Sequence, residues 1–271
     1  MDANFSRARS GVDAEGIHQL RVSARRLRSE LRAMRQVLPD EPWDRLRDDL
    51  RWVGATLGGL RDLDVLGELF DSHLARATPL HDAVDVALTH RRAEHQRRVA
   101  RLLDSSRYAR VRRRLARLSQ DPGLGALGRT SAAVVFTPVL WGATCAYLEA
   151  IGDPAGWRSD DDLHLVRIGS KKCRYNYEIG AQFLGPAARE VARHLEGIQD
   201  VLGQLHDRMV AMAFLDELGS SDRAGERGVR MALGAEMRRL RPQWVPHFVD
   251  ARRAMFAVFA PTSLGGTLEG R

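Results

Sequence analysis

The sequence predicts an all-α protein made of two copies of one helical unit, packed with pseudo-twofold symmetry. Apolar residues recur with the helical period along most of the chain, and no segment shows the sustained alternation of strands. Two motifs occur twice, in the same order and at nearly the same separation, which indicates an internal duplication. The hydrophobic fraction of 44% supplies a core and excludes a globally disordered chain.

Nine helices are predicted, and turn residues such as Leu38-Pro39-Asp40 and Gly152-Asp153-Pro154 separate them. We expect the helices at about 14–38, 43–74, 79–103, 106–119, 127–151, 160–183, 187–218, 226–240 and 244–259.

Nothing in the sequence favours a membrane partner. Met1–Val12 lacks the apolar core of a signal peptide, and the residues from Pro261 onward are rich in Gly and Thr and are expected to fray. Residues 132–151 resemble a membrane span in length, but their polar interruptions favour a buried helix. Cys145 and Cys173 stand in unrelated contexts, which indicates neither a disulfide framework nor a metal site and fits the cytoplasm.

A histidine followed by several cations forms the first repeated motif. His18-Gln-Leu-Arg21-Val-x-x-Arg25-Arg26-x-Arg28 recurs 146 residues later as His164-Leu-Val-Arg167-Ile-x-x-Lys171-Lys172-x-Arg174. The second motif, Leu57-Gly58-x-Leu60-Arg61-Asp62, recurs 145 residues later as Leu202-Gly203-x-Leu205-His206-Asp207. The duplication divides the chain into predicted repeats at residues 1–122 and 123–271.

The two repeats are unequal at their beginnings. A helix at about 127–151 precedes the histidine motif of the second repeat, whereas 17 residues precede His18 in the first. The first repeat therefore either lacks a leading helix or begins late. Such a gap would open one side of a bundle or promote a homodimer.

The cations of each histidine motif share one face of their helix, at about 100° per residue. The basic sector holds His18, Arg21, Arg25, Arg28 and Arg32 in the first copy and His164, Arg167, Lys171 and Arg174 in the second. The adjoining sector is expected to face the core, and it holds Leu20, Ala24, Leu27, Leu31 and Leu38, then Val166, Ser170, Cys173 and Tyr177. Arg26 and Lys172 match the motif but fall outside the basic sector.

Cations stacked on one helix face repel one another, so acids must meet them. One interpretation is a salt-bridged helix interface, with Asp62, Asp64 and Asp207 as partners. The other is a polyanionic ligand, which we favour because both copies keep the cations while the packing residues change. The 40 Arg, 2 Lys and net charge of +7 fit a phosphate-rich partner, although a high-GC genome would also enrich arginine. His18 and His164 would donate hydrogen bonds to phosphate.

The aspartates of the second motif, Asp62 and Asp207, are predicted to orient a cation of the neighbouring histidine helix. The repeated Gly58 and Gly203 are costly inside helices and suggest a close helix approach. His206-Asp207 resembles the His-Asp pair of metal phosphohydrolases, but no companion cluster supports a metal site. We therefore expect no metal and no cofactor.

A further basic segment, from Arg91 to Arg117, holds 11 arginines against Glu94 and Asp104. About half of them fit a solvated face, and the rest would extend a polyanion track. No Gly-rich phosphate loop, nucleophile elbow or zinc signature is present, so we expect no enzyme. The aromatic content of 6% argues against binding single-stranded nucleic acid by base stacking.

The four motifs in order resemble the CHAD domain, the conserved histidine α-helical domain, over about His18 to Val210. The resemblance implies two antiparallel four-helix bundles with pseudo-twofold symmetry around a basic central groove. It also implies binding of inorganic polyphosphate and, in bacterial members, association with polyphosphate granules. The triphosphate-tunnel enzyme domain that often accompanies this family is not recognisable in the sequence. The candidate polyphosphate-binding residues are His18, Arg21, Arg25, Arg26, Arg28, Arg32, His164, Arg167, Lys171, Lys172 and Arg174.

The predicted function is thus non-catalytic polyphosphate binding by a cytoplasmic protein. The alternative is a nucleic-acid-binding helical protein, and nucleic acid is otherwise expected to be the weaker polyanion. The two interpretations share phosphate contacts, so the sequence separates them poorly.

Overall fold

The computed structural model describes residues 14–36, 38, 40–124, 126–157 and 159–260. The expectations for Met1–Val12 and for the residues from Pro261 onward lie outside this part of the chain. Within the described residues the chain forms nine α-helices and no strand, which confirms the all-α prediction. The helices are α1 (Ala14–Ala33), α2 (Asp40–His73), α3 (Pro79–Leu103), α4 (Ser106–Gln120), α5 (Ala132–Ile151), α6 (Asp160–Leu184), α7 (Pro186–Leu218), α8 (Arg223–Leu240) and α9 (Trp244–Val258).

Most helix ends agree with the predicted ends within a few residues, and the differences have local causes. α1 stops at Ala33 because a 3₁₀ turn, Met34–Gln36, follows it. Another 3₁₀ turn, Ala126–Arg129, delays the start of α5. α8 begins earlier than predicted, after Asp222, whose carboxylate accepts the backbone N–H of Gly225 at 2.9 Å.

Side-chain caps fix the starts of three helices. Thr78 accepts the backbone N–H of His81 at 3.2 Å before α3, where Pro79 occupies the first turn. Ser105 accepts that of Tyr108 at 3.1 Å before α4. At α6, Ser159 and Asp162 form a reciprocal capping box. These short polar signals explain why the sequence located these boundaries well.

The chain forms two compact units. The first contains residues 1–125 and 207–235, and the second contains 126–206 and 236–271. The long helix α7 and the helix α8 therefore each pass from one unit to the other. These units do not coincide with the sequence repeats predicted at 1–122 and 123–271. The helix order α1–α4 parallels α6–α9, with α2 and α7 of 34 and 33 residues, and the internal duplication itself stays a prediction. The pseudo-twofold arrangement and the basic central groove stay predictions.

The core of the first unit combines residues from two distant stretches of the chain, 63–88 and 211–233. Phe70 of α2 packs against Phe214 of α7 with ring centroids 5.5 Å apart. The other core residues are Leu63, Leu66, Leu74, Leu80, Val84, Leu88, Ala211, Leu215, Val229 and Leu233. Helices α2 and α3 alone therefore do not complete this core.

In the second unit, α5 packs along α6 through two buried hydroxyl pairs. The hydroxyls of Tyr147 and Ser170 are 2.8 Å apart, and those of Thr144 and Tyr177 are 2.7 Å apart. Burial raises the pKa of both tyrosine hydroxyls, so they stay protonated and serve as structural hydrogen-bonding groups. The repeat of a hydroxyl pair along the interface fixes the register of α5 on α6.

The opposite side of α5 is exposed, so the expectation that residues 132–151 form a buried helix is wrong for that side. Val134 and Trp141 are 62% and 45% exposed, although the ring centroids of Trp141 and Phe259 are 4.8 Å apart. Among the described helices, α5 is the one whose length and composition would suffice to cross a membrane. The burial of its other side against α6 accounts for part of its apolar character.

The predicted close approach at Gly58 and Gly203 is also wrong. A Cβ added to Gly203 would have no neighbour within 4 Å, and one added to Gly58 would meet only Asp62 of its own helix, at 3.9 Å. The close approaches lie elsewhere: a Cβ added to Gly59 would clash with the ring of His95, and one added to Gly197 would lie only 2.6 Å from Nδ1 of His247. A helix turns about 100° per residue, so a shift of one position moves the contact to another face.

The two cysteines are expected to differ in reactivity. Cys173 is 2% exposed, and burial raises the pKa of its thiol, whereas Cys145 is exposed. Because the thiolate is the nucleophile, a thiol reagent at mildly alkaline pH should label one of the two cysteines in the native protein and both in denaturant. Labelling counted by mass spectrometry, with Cys145→Ser as the control, measures this; rapid native labelling of Cys173 would contradict the packing of α6.

Candidate functional site

The basic stripe of α1 borders the core as predicted. Leu20 and Ala24 have no exposed surface, and Leu31 is 6% exposed. The cations of the adjoining sector, Arg21, Arg25 and Arg28, are half-buried, and Arg32 is exposed. The predicted order of core sector and basic sector round the helix is therefore correct. Cations at such a boundary interact more strongly with an anion than fully solvated cations do, because the local dielectric constant is lower.

His18 lies at the start of this stripe. Its ring is half-buried, and the buried Nδ1 has no hydrogen-bond partner within the described residues. Arg21, Arg25 and Arg28 all take part in interactions inside the protein. A buried polar nitrogen without a partner is costly to the folded state.

Arg26 lies apart from the stripe. Its side chain is 65% exposed and pairs with Glu30 one turn later, at 3.1 Å. Such exposed pairs contribute little to stability. Lys172, at the equivalent position of α6, is likewise exposed. Both residues were predicted to bind phosphate because they match the motif; their position assigns them to a different face.

The stripe of α6 also borders its core. Val166, Ser170, Cys173 and Tyr177 are all buried, as predicted for the packing sector. His164 is exposed, and Arg167 and Lys171 are half-buried. Arg167 has no carboxylate partner in the part of the chain that the structure describes, and Lys171 interacts inside the protein.

The second copies of the two motifs meet at two histidines. The ring centroids of His164 on α6 and His206 on α7 are 5.7 Å apart, with the rings tilted by 41°. Arg167 follows His164 by about one turn, which places three basic side chains in one region of the second unit. No group of three or more His, Cys, Asp or Glu side chains that could hold a metal occurs among the described residues. Each imidazole carries a ring N–H that can donate a hydrogen bond.

Arg174 does not fit its predicted role. Its guanidinium pairs with Glu196 of α7 at 2.6 Å and with Glu178 at 3.3 Å, and its side chain is 14% exposed. It also lies 5.3 Å from the ring centroid of Tyr175. A guanidinium neutralised by two carboxylates is a structural link between α6 and α7. Arg28 occupies the equivalent motif position in α1, and nothing in the sequence indicated that Arg174 would differ from it.

Replacing Arg174 with Gln is expected to lower stability and to leave polyphosphate binding nearly unchanged. The change leaves two glutamates without their cation, and we expect a loss of about 1–2 kcal/mol because Glu196 is largely solvated. A thermal melt followed by circular dichroism measures the loss, and Lys172→Gln on the same helix is the control. A stable variant with much weaker binding would return Arg174 to the ligand site.

The acids of the second motif behave differently from the prediction at one position. Asp62 is exposed and has no ion-pair partner among the described residues, so it does not orient a cation there. Its neighbours Leu60 and Leu63 are buried, which turns Asp62 towards solvent. Asp64 pairs with Arg92 of α3 at 2.7 Å. Asp207 interacts inside the protein, and its orienting role stays a prediction.

Some arginines of the Arg91–Arg117 segment link helices of the first unit. Arg91 pairs with Glu217 at 2.6 Å and lies over the ring of Phe214. Arg107 and Arg114 of α4 both bind Asp49 of α2, each at 2.9 Å. The sequence did not identify these pairs, since the partners are 58 to 126 residues away.

A cavity in the first unit lies between α2 and α3. It is lined by the carboxylates of Asp64, Glu68, Asp71 and Asp85, together with Arg61, Arg92 and His81 over apolar residues. The excess of negative charge makes it unsuitable for a phosphate polymer. The basic helix faces are therefore the better candidates for a polyanion.

The sequence matches the CHAD domain over residues 1–216. This chain belongs to the CHAD-domain family. Two uncharacterized proteins of Mycobacterium tuberculosis, from strains CDC 1551 / Oshkosh and H37Rv, are each 28% identical over 226 residues, which is 78% of this chain and 42% of the relative. This CHAD-domain chain thus spans about two fifths of the length of these relatives.

Solved structures agree with the assignment to the CHAD family. The crystal structure of the CHAD domain from the plant Ricinus communis superposes with a TM-score of 0.71 and 28% identity, over 96% of this chain and 86% of that one. PptA from Streptomyces chartreusis has a TM-score of 0.65 and 21% identity, over 91% of this chain and 90% of that one. The second likeness concerns the fold alone.

Proposed function

We propose that this CHAD-domain protein binds inorganic polyphosphate without catalysing a reaction on it. The ligand contacts are assigned to His18, Arg21, Arg25 and Arg28 on α1 and to His164, Arg167 and Lys171 on α6. The observation that carries the proposal is the approach of His164 to His206 beside Arg167. In the second copy, the histidine motif and the motif of Asp207 thus place basic side chains next to one another. Membership of the CHAD family supports the choice of polyphosphate.

A flexible phosphate chain suits these surfaces better than a compact anion does. Each stripe follows a helix axis, so successive cations meet successive phosphates of a linear polymer. Arginine supplies bidentate contacts to phosphate, and every neutralised phosphate releases counterions, so several moderate contacts add up to tight binding. The same proposal places the protein in the cytoplasm, at polyphosphate granules where these are present.

Titration of the protein with polyphosphate of defined length across a salt series tests the proposal. We expect the logarithm of the binding constant to fall linearly with the logarithm of salt concentration, by about 0.7 per phosphate contact. Competition with duplex DNA is the discriminating arm: polyphosphate should displace DNA at a much lower phosphate concentration than the reverse. Preference for DNA would favour a nucleic-acid-binding protein, and release of orthophosphate with added divalent metal would contradict a non-catalytic role.

A further inference from the structure

The outer face of α4 carries arginines that the bundle does not use. Arg110, Arg113 and Arg117 are exposed and lie at i, i+3 and i+7 along one side of the helix. None of them has a carboxylate partner among the described residues; Arg110 donates to the hydroxyl of Ser106 at 3.3 Å. The three positions span about 10 Å along the axis, at about 1.5 Å per residue.

The inner face of the same helix shows what structural arginines look like here. Arg107 and Arg114 bind Asp49, and Arg107 also lies over the ring of Trp52 at 4.4 Å. Tyr108 and Val111 are buried beside them. The outer arginines are therefore not needed to attach α4 to α2.

The fold does not require the arginine-rich composition of α4. It holds six arginines in 15 residues and neither Asp nor Glu, so like charges repel along the outer face. The helix in the corresponding position after the second motif pair, α9, holds two arginines, and its exposed face includes Val249 and Phe256. Helix α9 thus has no counterpart of the outer arginine stripe of α4.

We propose that Arg110, Arg113 and Arg117 form a second surface for the phosphate polymer, outside the duplicated histidine motifs. The proposal rests on the proposed function, since it takes the same ligand. No aromatic side chain is exposed on α4, so the face offers no stacking platform for the bases of a single-stranded nucleic acid. A polymer long enough to reach both surfaces binds more tightly than a short one, because the second contact is then intramolecular.

The first unit's α3 adds exposed cations that fit this assignment. Arg97 and Arg101 lie one turn apart near the end of α3, just before the connection to α4, and neither has a carboxylate partner in the described residues. Their neighbour Arg98, by contrast, pairs with Glu94 at 2.5 Å. Helices α3 and α4 therefore carry two kinds of arginine: those that pair with carboxylates and those that have no carboxylate partner among the described residues.

The test uses two variants of the full chain that remove the same charge from the same helix. R113Q/R117Q changes the outer stripe, and R107Q/R114Q changes the inner arginines bound to Asp49. With long polyphosphate we expect R113Q/R117Q to weaken binding about tenfold and to make the salt dependence shallower by about 1.4, which corresponds to two lost contacts. With a short chain that occupies one surface, the tight site should keep its affinity.

The control R107Q/R114Q, measured at a temperature where its circular dichroism is native, should bind long polyphosphate within about threefold of the wild type. Equal weakening by both variants would reduce the effect to net charge and overturn the second surface, as would no effect of R113Q/R117Q. If R113Q/R117Q weakened duplex DNA binding but not polyphosphate binding, the ligand assignment would be wrong. A further outcome separates the two proposals. If R25Q/K171Q weakens polyphosphate binding and R113Q/R117Q does not, the second surface is rejected and the proposed function is kept.

Discussion

Replacing Arg25 and Lys171 with Gln is expected to weaken polyphosphate binding by roughly tenfold to a hundredfold at physiological salt. Each residue is the half-buried cation at the same position of its histidine motif, two turns after His18 or His164. Hydrogen bonds to a charged group contribute about 1.5–3 kcal/mol each, and because solvent and salt screen these half-buried groups we expect a combined loss of only about 1.4–2.7 kcal/mol. Fluorescence anisotropy with labelled polyphosphate, in a salt series, measures both the affinity and its salt dependence.

The matched control is R26Q/K172Q. These residues immediately follow the tested pair, have the same chemical types and lie on the same two helices, but both are exposed and off the stripe. We expect their replacement to change the affinity by about twofold or less, as for rim charges that act only through the overall field. Equal losses from the two double variants would show that net charge, and not the stripe, attracts the ligand.

Phe214→Ala is expected to destabilise the first unit by about 3–5 kcal/mol, a large share of the stability of an ordinary domain. Phe214 is 3% exposed, packs against Phe70 of α2 with the rings tilted by 49°, and lies under the guanidinium of Arg91. Its removal leaves a cavity in the core that α2, α3, α7 and α8 share. Denaturant unfolding gives the free energy, and hydrogen exchange reports which helices lose protection.

Val210→Ala is the control for this change. Val210 precedes Phe214 by four residues on α7 but is 38% exposed, so its truncation should cost less than about 1 kcal/mol. The exchange pattern carries the sharper information: in Phe214→Ala, α2 and α3 should lose protection more than α5 and α6 do. Uniform loss over all helices would show that the units do not unfold separately.

Periodicity was sufficient to predict the helices and the orientation of the two histidine-motif helices. Leu20 and Ala24 in α1, and Val166 and Tyr177 in α6, are buried because a helical period places them on one side, and packing against a neighbour follows from that alone. The adjoining basic stripes were located by the same argument. The prediction thus used only information that lies within one helix.

Partners from distant parts of the chain were beyond such reasoning. Arg174 looks like Arg28 in sequence, yet Glu196 of α7 reaches it and makes it structural. Asp49 likewise captures Arg107 and Arg114 from α4. Which acid meets which cation depends on the rotation of one helix against another, and one glycine position, Gly59 instead of Gly58, is enough to change the contact.

The prediction for α5 was wrong on one side. The polar interruptions of residues 132–151 favoured a buried helix, but one side remains exposed, with Val134 and Trp141 at the surface. A mean over a helix does not report how its apolar character is distributed round it.

The division of the first unit between two distant stretches of chain has a consequence during synthesis. Leu103 ends α3, and Leu233, which completes the same core, leaves the ribosome 130 residues later. At roughly 5–20 residues per second, translation needs about 6 to 26 seconds for that interval. Throughout it Phe70 and Leu80 lack the α7 and α8 side chains that complete their core, so this unit cannot finish folding before the last of these helices has been synthesised.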